Sequence, residues 1–532
     1  MNLLGARSAG RRRPTDAGAL LVGPRVSSGP MPNSSPHSQS AKSARALDAW
    51  RSFYDTSLDA SLKRCLTIDP DENALAIFRS AAQDVPAYRS FLSTHGVHVE
   101  DVRTIEDFRR LPVTTKENYH RKSALHELCR DGSLVRCDFL AVSSGSTGEP
   151  TIWPRFVADE VGSAQRFEQV LADSFAAQSR STLAVVCFAL GSWVGGMYTA
   201  ACCRHVAAKG YPLTVVTPGN LKGEILRVLR TLAPLYDQVV LFGYPPFLKD
   251  VIDEGKKTDF DWSRYTVGVV MAGEVFSEAW RTGVAERMGA RDPTHATASL
   301  YGTADGGVLA NETPYSIEIR RFLADHSDAA RELFGEPRLP TLCQYDPLHR
   351  YFEREDDGSL LFTAAGSVPL VRYKILDRGG VVPHARMRAF LRERGFERSS
   401  QVGRELPFVY VYGRSSFAVS FYGANVYPEN VAPALEQREL ASRVTGKFVM
   451  HVVHDDDKNA MLEVFVELAG SASADESTGA ALARAMRSHL ERLNSEFANY
   501  TPAERRTPKV VLLAEGHPEY FPVGVKHRYT RG

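Results

Sequence analysis

From about Asp159 the chain alternates helical and strand-like patterns, and this alternation restricts the fold more than any other feature. Phe167, Val170, Leu171 and Phe175 recur at helical spacing, and the β-branched run Leu183 to Leu190 follows. Leu213 to Thr217 reads as a strand, Leu221 to Leu232 as a helix and Gln238 to Phe242 as a strand; Pro246 to Glu254 then reads as a helix and Thr266 to Met271 as a strand. Continuous apolar strands between amphipathic helices belong to a mostly parallel sheet covered on both faces. The expected class is α/β, with ligands at the carboxyl ends of the strands. After about residue 412 the texture changes. Lys447 to Val453 and Met461 to Leu468 alternate as strands around the charged turn His454 to Lys458, with a helix near Ala480 to Phe497 and a strand at Val510 to Leu513. The expected organisation is an N-terminal extension over 1–45, a large domain of mostly parallel sheets flanked by helices over 46–412, and a small α+β domain over 413–532.

Composition narrows the function classes. A formal charge of +1 leaves no surplus to steer the protein toward nucleic acid, so an anionic ligand must be held by local geometry. The fractions of 43% hydrophobic and 24% charged residues are those of a soluble globular protein. Seven cysteines occur without a C-x-x-C pair or paired histidine spacing, which reads as reduced thiols in a cytoplasmic protein and not as a zinc site. The first forty or so residues are rich in Arg, Ser, Pro and Ala and cannot build a core, so a disordered extension, a transit peptide or a start placed upstream of Met31 is expected there. Ser181 to Cys203 carries no charge, but Gly191-Ser192 and Gly195-Gly196 divide it; a buried strand, glycine turn and helix are expected in place of a membrane span.

The stretch Ser143-Ser144-Gly145-Ser146-Thr147-Gly148-Glu149-Pro150 places hydroxyls and glycines between an apolar run and a later helix. Such a loop can offer several N–H and O–H donors to one phosphate, because glycine lets the backbone approach closely. It is neither a Walker A loop nor a Rossmann fingerprint, and a Ser/Gly-rich turn standing alone is commonly only a solvated loop. Other stretches accompany it in order: "MAGEVFSEAWR" (Met271 to Arg281), "SLYGTADGG" (Ser299 to Gly307), "VRYKILDRGG" (Val371 to Gly380), "YGRSSFAVSFYGANVYPENV" (Tyr412 to Val431) and "FPVGVKHR" (Phe521 to Arg528).

Together these motifs resemble the adenylate-forming superfamily of acyl-CoA synthetases, nonribosomal adenylation domains and luciferases, most closely its phenylacetate-CoA ligase branch, over roughly residues 46 to 532. The resemblance implies ATP-dependent activation of a carboxylic acid as an acyl-adenylate, with release of pyrophosphate, then transfer to coenzyme A. It implies that Ser143, Ser144, Gly145, Ser146, Thr147 and Gly148 hold the β and γ phosphates, and that Ala272, Gly273 and Glu274 form the adenine-side strand end. Tyr301 and Gly302 would flank adenine, Asp305 would bind Mg²⁺, and Asp377 would accept both ribose hydroxyls. Arg414 would touch ribose or phosphate as a mobile small domain turns, with Gly403-Arg404 as a less well placed rival. Lys526 would neutralise charge at the forming acyl-phosphate bond. By family position the acyl pocket would draw on Trp193, on Phe242 to Pro245 including Tyr244, and on Ala272 and Gly273, which suggests an aromatic or otherwise flat acid; aromatic residues near a sheet are, however, commonly core.

Four positions depart from the family pattern: Glu149 stands where Lys is common, Ala304-Asp305 replaces Thr-Glu, and Ser416 occupies the hinge. Loss of the hydroxyl at Ala304 costs on the order of 1 kcal/mol of hydrogen bonding. These departures favour a non-catalytic nucleotide-binding homologue, whereas Asp377, Arg414 and Lys526 favour an enzyme. An amine or a carrier-protein thiol stays open as acceptor. No nucleic acid or membrane partner is expected, and G-x-S-x-G hydrolase chemistry is disfavoured because Gly145 to Gly148 is one residue short.

Overall fold

The computed structural model describes residues 36–142, 151–191, 194–336, 338–396, 404–414, 418–422, 424–454, 460–470, 472–494, 497–498, 501–522 and 527–530. A helix Pro36–Tyr54 begins inside the span expected to be an extension. Strands β1 (Phe139–Val142) and β2 (Ile152–Arg155) pair antiparallel, with Val142 opposite Ile152, so the two ends of the Ser143 to Pro150 segment are held side by side. The segment itself lies outside the described residues.

The centre is a sheet of eleven strands. One half contains β3 (Thr182–Val186), β4 (Leu213–Val216), β5 (Gln238–Gly243), β6 (Val267–Ala272) and β7 (Thr297–Thr303), paired in parallel in the order β4-β3-β5-β6-β7. Every residue of β3 and β5 is buried. Alternate side chains serve opposite layers, as the pleat requires. Ala184, Val186, Val240 and Phe242 join a core with Phe167, Leu171 and Cys203 of the helices Val157–Phe175 and Val194–Ala208. Leu183, Val185, Val239 and Leu241 join another with Leu226, Leu229, Leu248 and Ile252 of the helices Lys222–Leu232 and Pro245–Lys257. Each Val, Leu, Ile or Phe among them contributes about 1.5–3 kcal/mol through burial.

The other half is antiparallel: β8 (Gly307–Asn311), β9 (Thr341–Gln344), β10 (Tyr351–Arg354), β11 (Ser359–Ala364), β12 (Leu370–Val382) and β13 (Phe408–Arg414) extend the sheet in the order β8-β9-β13-β12-β11-β10. The parallel character expected from the helix–strand alternation is therefore confined to the first half. Beyond Thr303 several of the connections are tight turns, which can join only antiparallel neighbours. The expected strand Leu183 to Leu190 ends at Val186, because neighbouring β4 stops at Val216. No helix among the described residues is long and apolar enough to cross a membrane.

After Arg414 the strands leave this sheet. β14 (Val419–Phe421) and β15 (Ala424–Val426) form a hairpin, and β16 (Val444–His454), β17 (Ala460–Leu468) and β18 (Lys509–Leu513) form a second sheet covered by the helix Glu476–Leu493. That helix starts earlier than its apolar spacing suggested, because Asp475 caps it by accepting from Thr478 N. Polar contacts join this part to the large sheet. Lys447 bridges Asp250 and Glu467, Glu515 meets Lys222 and Lys257, and Ser277 bonds Glu436.

Candidate active site

The parallel strands end on one rim, and three of the sequence motifs meet there. β5 gives way at Gly243 to Tyr244, whose ring stands edge-on to Phe188 with centroids 4.9 Å apart. Burial, and secondarily Glu274, pushes the Tyr244 phenol up to about 12, so it stays protonated at neutral pH. β6 ends at Ala272, which pairs with Leu300 of β7, and Gly273 turns the chain in the left-handed region at φ 86°. Glu274 then accepts a 3.0 Å bond from the Tyr529 hydroxyl of the C-terminal segment. On β7, Tyr301 precedes Gly302, where an added Cβ would lie 2.9 Å from the Gly307 carbonyl oxygen; the tight turn excludes a side chain.

The antiparallel half supplies the remaining carboxylate. The Tyr301 hydroxyl donates to Asp377 Oδ2 at 2.8 Å, although the two residues are 76 positions apart. Asp377 is only 5% exposed, and its backbone pairs across β12 and β13 with that of Arg414. Leu376 beside it has φ 66°, an irregularity in β12 at this point. The rival Arg404 is tied by ion pairs to Asp59 and Asp173.

Asp305 is held from two directions that sequence reading missed. Tyr373 of β12 donates its hydroxyl to Oδ2 at 2.7 Å, and Lys116 Nζ lies 3.7 Å from Oδ1. Lys116 opens a short helical turn that Thr115 and Asn118 cap reciprocally. Thr114 anchors that turn to β12: its N–H donates to the Arg372 carbonyl at 3.2 Å, and the Thr114 carbonyl accepts from the Lys374 N–H at 2.9 Å. The Arg155 guanidinium fixes the adjoining turn by donating to the carbonyls of Ala304 and Asp305, both at 2.6 Å. Beneath lies Trp153, 0% exposed, against His120, whose burial holds its pKa below the ordinary histidine value.

Asp305 fits the role of a Mg²⁺ ligand. Among the described residues no group of three or more His, Cys, Asp or Glu could hold a metal ion. A single carboxylate suits Mg²⁺, which keeps water and phosphate oxygens as its other ligands. Ser143 to Gly148, Trp193 and Lys526 lie outside the described residues, as does the side chain of Arg414.

No family model matches the chain. A phenylacetate-coenzyme A ligase of Aromatoleum evansii is 23% identical over 361 residues, covering 66% of this chain and 71% of the relative. Its counterpart in Escherichia coli (strain K12) is 23% identical over 373 residues, covering 68% and 74%. Among solved structures, 2-hydroxyisobutyryl-CoA ligase in the postadenylation state, in complex with R3-HIB-AMP, superposes with a TM-score of 0.64 at 14% identity, covering 86% of this chain and 88% of that one. The chain has the adenylate-forming ligase fold, and in motif order and in these relatives it is similar to the phenylacetate-CoA ligases.

Proposed function

We propose that this protein activates a carboxylic acid with ATP as an acyl-adenylate, releases pyrophosphate, and passes the acyl group to coenzyme A. The observation that carries the reading is the Tyr301–Asp377 hydrogen bond at the carboxyl rim of the parallel strands, with Asp305 in the turn that follows the same strand. The curated relatives, named as phenylacetate-coenzyme A ligases, support it.

In this reading Ser143 to Gly148 grip the leaving phosphates, and Ala272, Gly273, Glu274, Tyr301 and Gly302 border adenine. Asp377 accepts the ribose hydroxyls; a carboxylate has acceptor sites for several donors, so the Tyr301 bond orients it without exhausting it. Asp305 would hold Mg²⁺, which would offset phosphate charge when bound. Tyr373 keeps that carboxylate aimed, and Lys116 supplies a cation beside it. The substrate carboxylate attacks the α-phosphorus in line, Lys526 neutralises the charge that builds there, and Arg414 engages the nucleotide as residues after 414 rotate. Tyr244 beside Phe188, together with Trp193, supports an acid with a flat apolar body, aromatic by preference.

The test is ATP-dependent pyrophosphate release over a panel of aryl and alkyl acids, with hydroxylamine to trap the adenylate and Lys526→Ala alongside. Release with one class of acid, reduced by about 10²-fold or more in the variant, supports the reading. Full adenylation by Lys526→Ala, or silence across the panel with ATP binding intact, refutes it. Mass analysis of products with coenzyme A, amines and a loaded carrier then identifies the acceptor.

A further inference from the structure

A cavity of about 340 Å³ lies under the turn between β7 and β8, and Asp305 borders it. Its wall carries four guanidinium groups, from Arg130, Arg155, Arg166 and Arg350, and three carboxylates, from Asp159, Asp305 and Asp346. Most of this charge is already matched. Arg130 pairs with Asp84 at 2.7 Å, Arg166 with Asp346 at 3.6 Å, and Asp305 with Lys116 at 3.7 Å. Asp159 accepts from Ser367 and from the Phe156 N–H.

Arg155 and Arg350 differ. Among the described residues neither has a carboxylate within ion-pair distance, and both spend their donors on neutral carbonyls. Arg155 binds those of Ala304 and Asp305, and Arg350 binds Gly306 at 2.9 Å, Val308 at 3.2 Å and His349 at 2.7 Å. Clamping the 304–308 turn accounts for those donors. Among the described residues it leaves Arg350 Nε enclosed without a hydrogen-bond partner, and leaves both guanidinium groups on this cavity wall without an ion-paired carboxylate. Such a charge costs several kcal/mol to enclose unless it is paired. Burial accordingly pulls the Arg350 pKa down to about 10; Tyr198 and Asp159 oppose this and Arg155 adds to it.

The geometry points to an anion subsite at Arg350 and Arg155 that takes a carboxylate or phosphate group. A guanidinium fork matches either oxyanion, and a cavity of this size admits a small organic acid. Val308, Leu309, Val368 and Leu370 add an apolar wall for a short carbon body. The anion has two sources: a second acidic group on the acid substrate, or inorganic phosphate or pyrophosphate. The first source rests on acid activation as proposed above; binding itself does not.

The experiment is calorimetric titration of the full-length protein with succinate, glutarate, isophthalate, phosphate and pyrophosphate. Butyrate and benzoate serve as single-acid controls, and AMP as a separate titration. The expected result is saturable binding of one anion class, at least about tenfold tighter than the controls. Arg350→Gln, whose amide still donates to the turn carbonyls, weakens it by about tenfold or more, and Arg350→Lys falls between. Dicarboxylates alone would identify the substrate source, and phosphates alone the inorganic one. Anion binding that persists where AMP does not bind would sink the nucleotide reading and leave the subsite standing. Equal binding of controls and dianions, or Arg350→Gln binding as tightly as wild type, overturns the inference. Should Arg350→Gln fail to fold, Arg155→Lys applies the same comparison.

Discussion

Glu436 joins the two parts of the molecule through a carboxyl group that titrates near neutrality. It follows the helix Pro428–Leu435 and accepts from the Ser277 hydroxyl, while Ser277 caps the helix Glu278–Arg287 by accepting from Trp280 N at 3.0 Å. Burial pushes the Glu436 pKa from 4.5 up to about 7, against the lowering effects of Ser277 and Arg320. The folded protein therefore binds this proton more tightly than the unfolded chain does. Its contribution to stability is complete below about pH 4.5, declines as pH rises, and is lost above about pH 7. At about 1.36 kcal/mol per pH unit the full rise corresponds to ~3 kcal/mol. Glu436 is partly accessible to solvent, which reduces the expected effect to about 1–2 kcal/mol. Glu436→Gln keeps the neutral form at every pH. Urea denaturation followed by tryptophan fluorescence, at intervals from pH 5 to 8, should show the variant close to wild type at the acid end. By the alkaline end the variant should be more stable by that amount. A gap independent of pH, or a variant less stable than wild type at pH 8, would refute the reasoning.

Other contacts make equally direct predictions. Arg281 is 0% exposed and bonds Glu278, Thr297 and Glu312, the last also 0% exposed. Arg281→Met should cost about 3–5 kcal/mol by stranding Glu312, and adding Glu312→Gln should restore at least half; a thermal unfolding loss equivalent to under about 1 kcal/mol contradicts this. Tyr301→Phe removes the donor to Asp377 and should weaken AMP binding about tenfold, a hydrogen bond to a charged group being worth ~1.5–3 kcal/mol; unchanged affinity in a fluorescence titration would remove Tyr301 from the site. Lys447→Met leaves Asp250 and Glu467 facing one another without their shared cation. Limited proteolysis between Arg414 and Val419 should then accelerate, and an unaltered cleavage rate would show that the bridge does not hold the two parts together.

The legible half of the fold was the half governed by local pattern. Apart from their first residues, Gln238 to Phe242 and Thr266 to Met271 carry no polar side chain because helices cover both faces, and the structure places β5 and β6 on those residues to within one position. The antiparallel half carried no comparable signal. β12 runs from Leu370 to Val382 through Arg372, Lys374, Asp377 and two glycines, a polar and irregular string whose partners β11 and β13 come from either side of it in the chain. Arg372 and Leu376 adopt positive φ there, so strict alternation fails where β12 carries Tyr373 and Asp377. Motif order, not periodicity, is what singles out Asp377 as a candidate.

The same reasoning explains why Lys116 escaped notice. Thr115 and Asn118 form a readable cap, but nothing local indicates that the turn they begin lies against a strand some 250 residues later. The Thr114–Tyr373 bridge makes that connection, and it brings a cation and a phenol to the same carboxylate. The two contacts are not equivalent. At 2.7 Å the Tyr373 bond fixes the orientation of Asp305, whereas 3.7 Å to Lys116 is beyond hydrogen-bond range and leaves Oδ1 balanced in charge but not committed in geometry. In the proposed reading, a carboxylate oriented on one oxygen and only loosely paired on the other would exchange a nearby ammonium for a divalent cation without moving its own backbone. The turn below it, clamped by Arg155 and Arg350, is in turn kept from following the change.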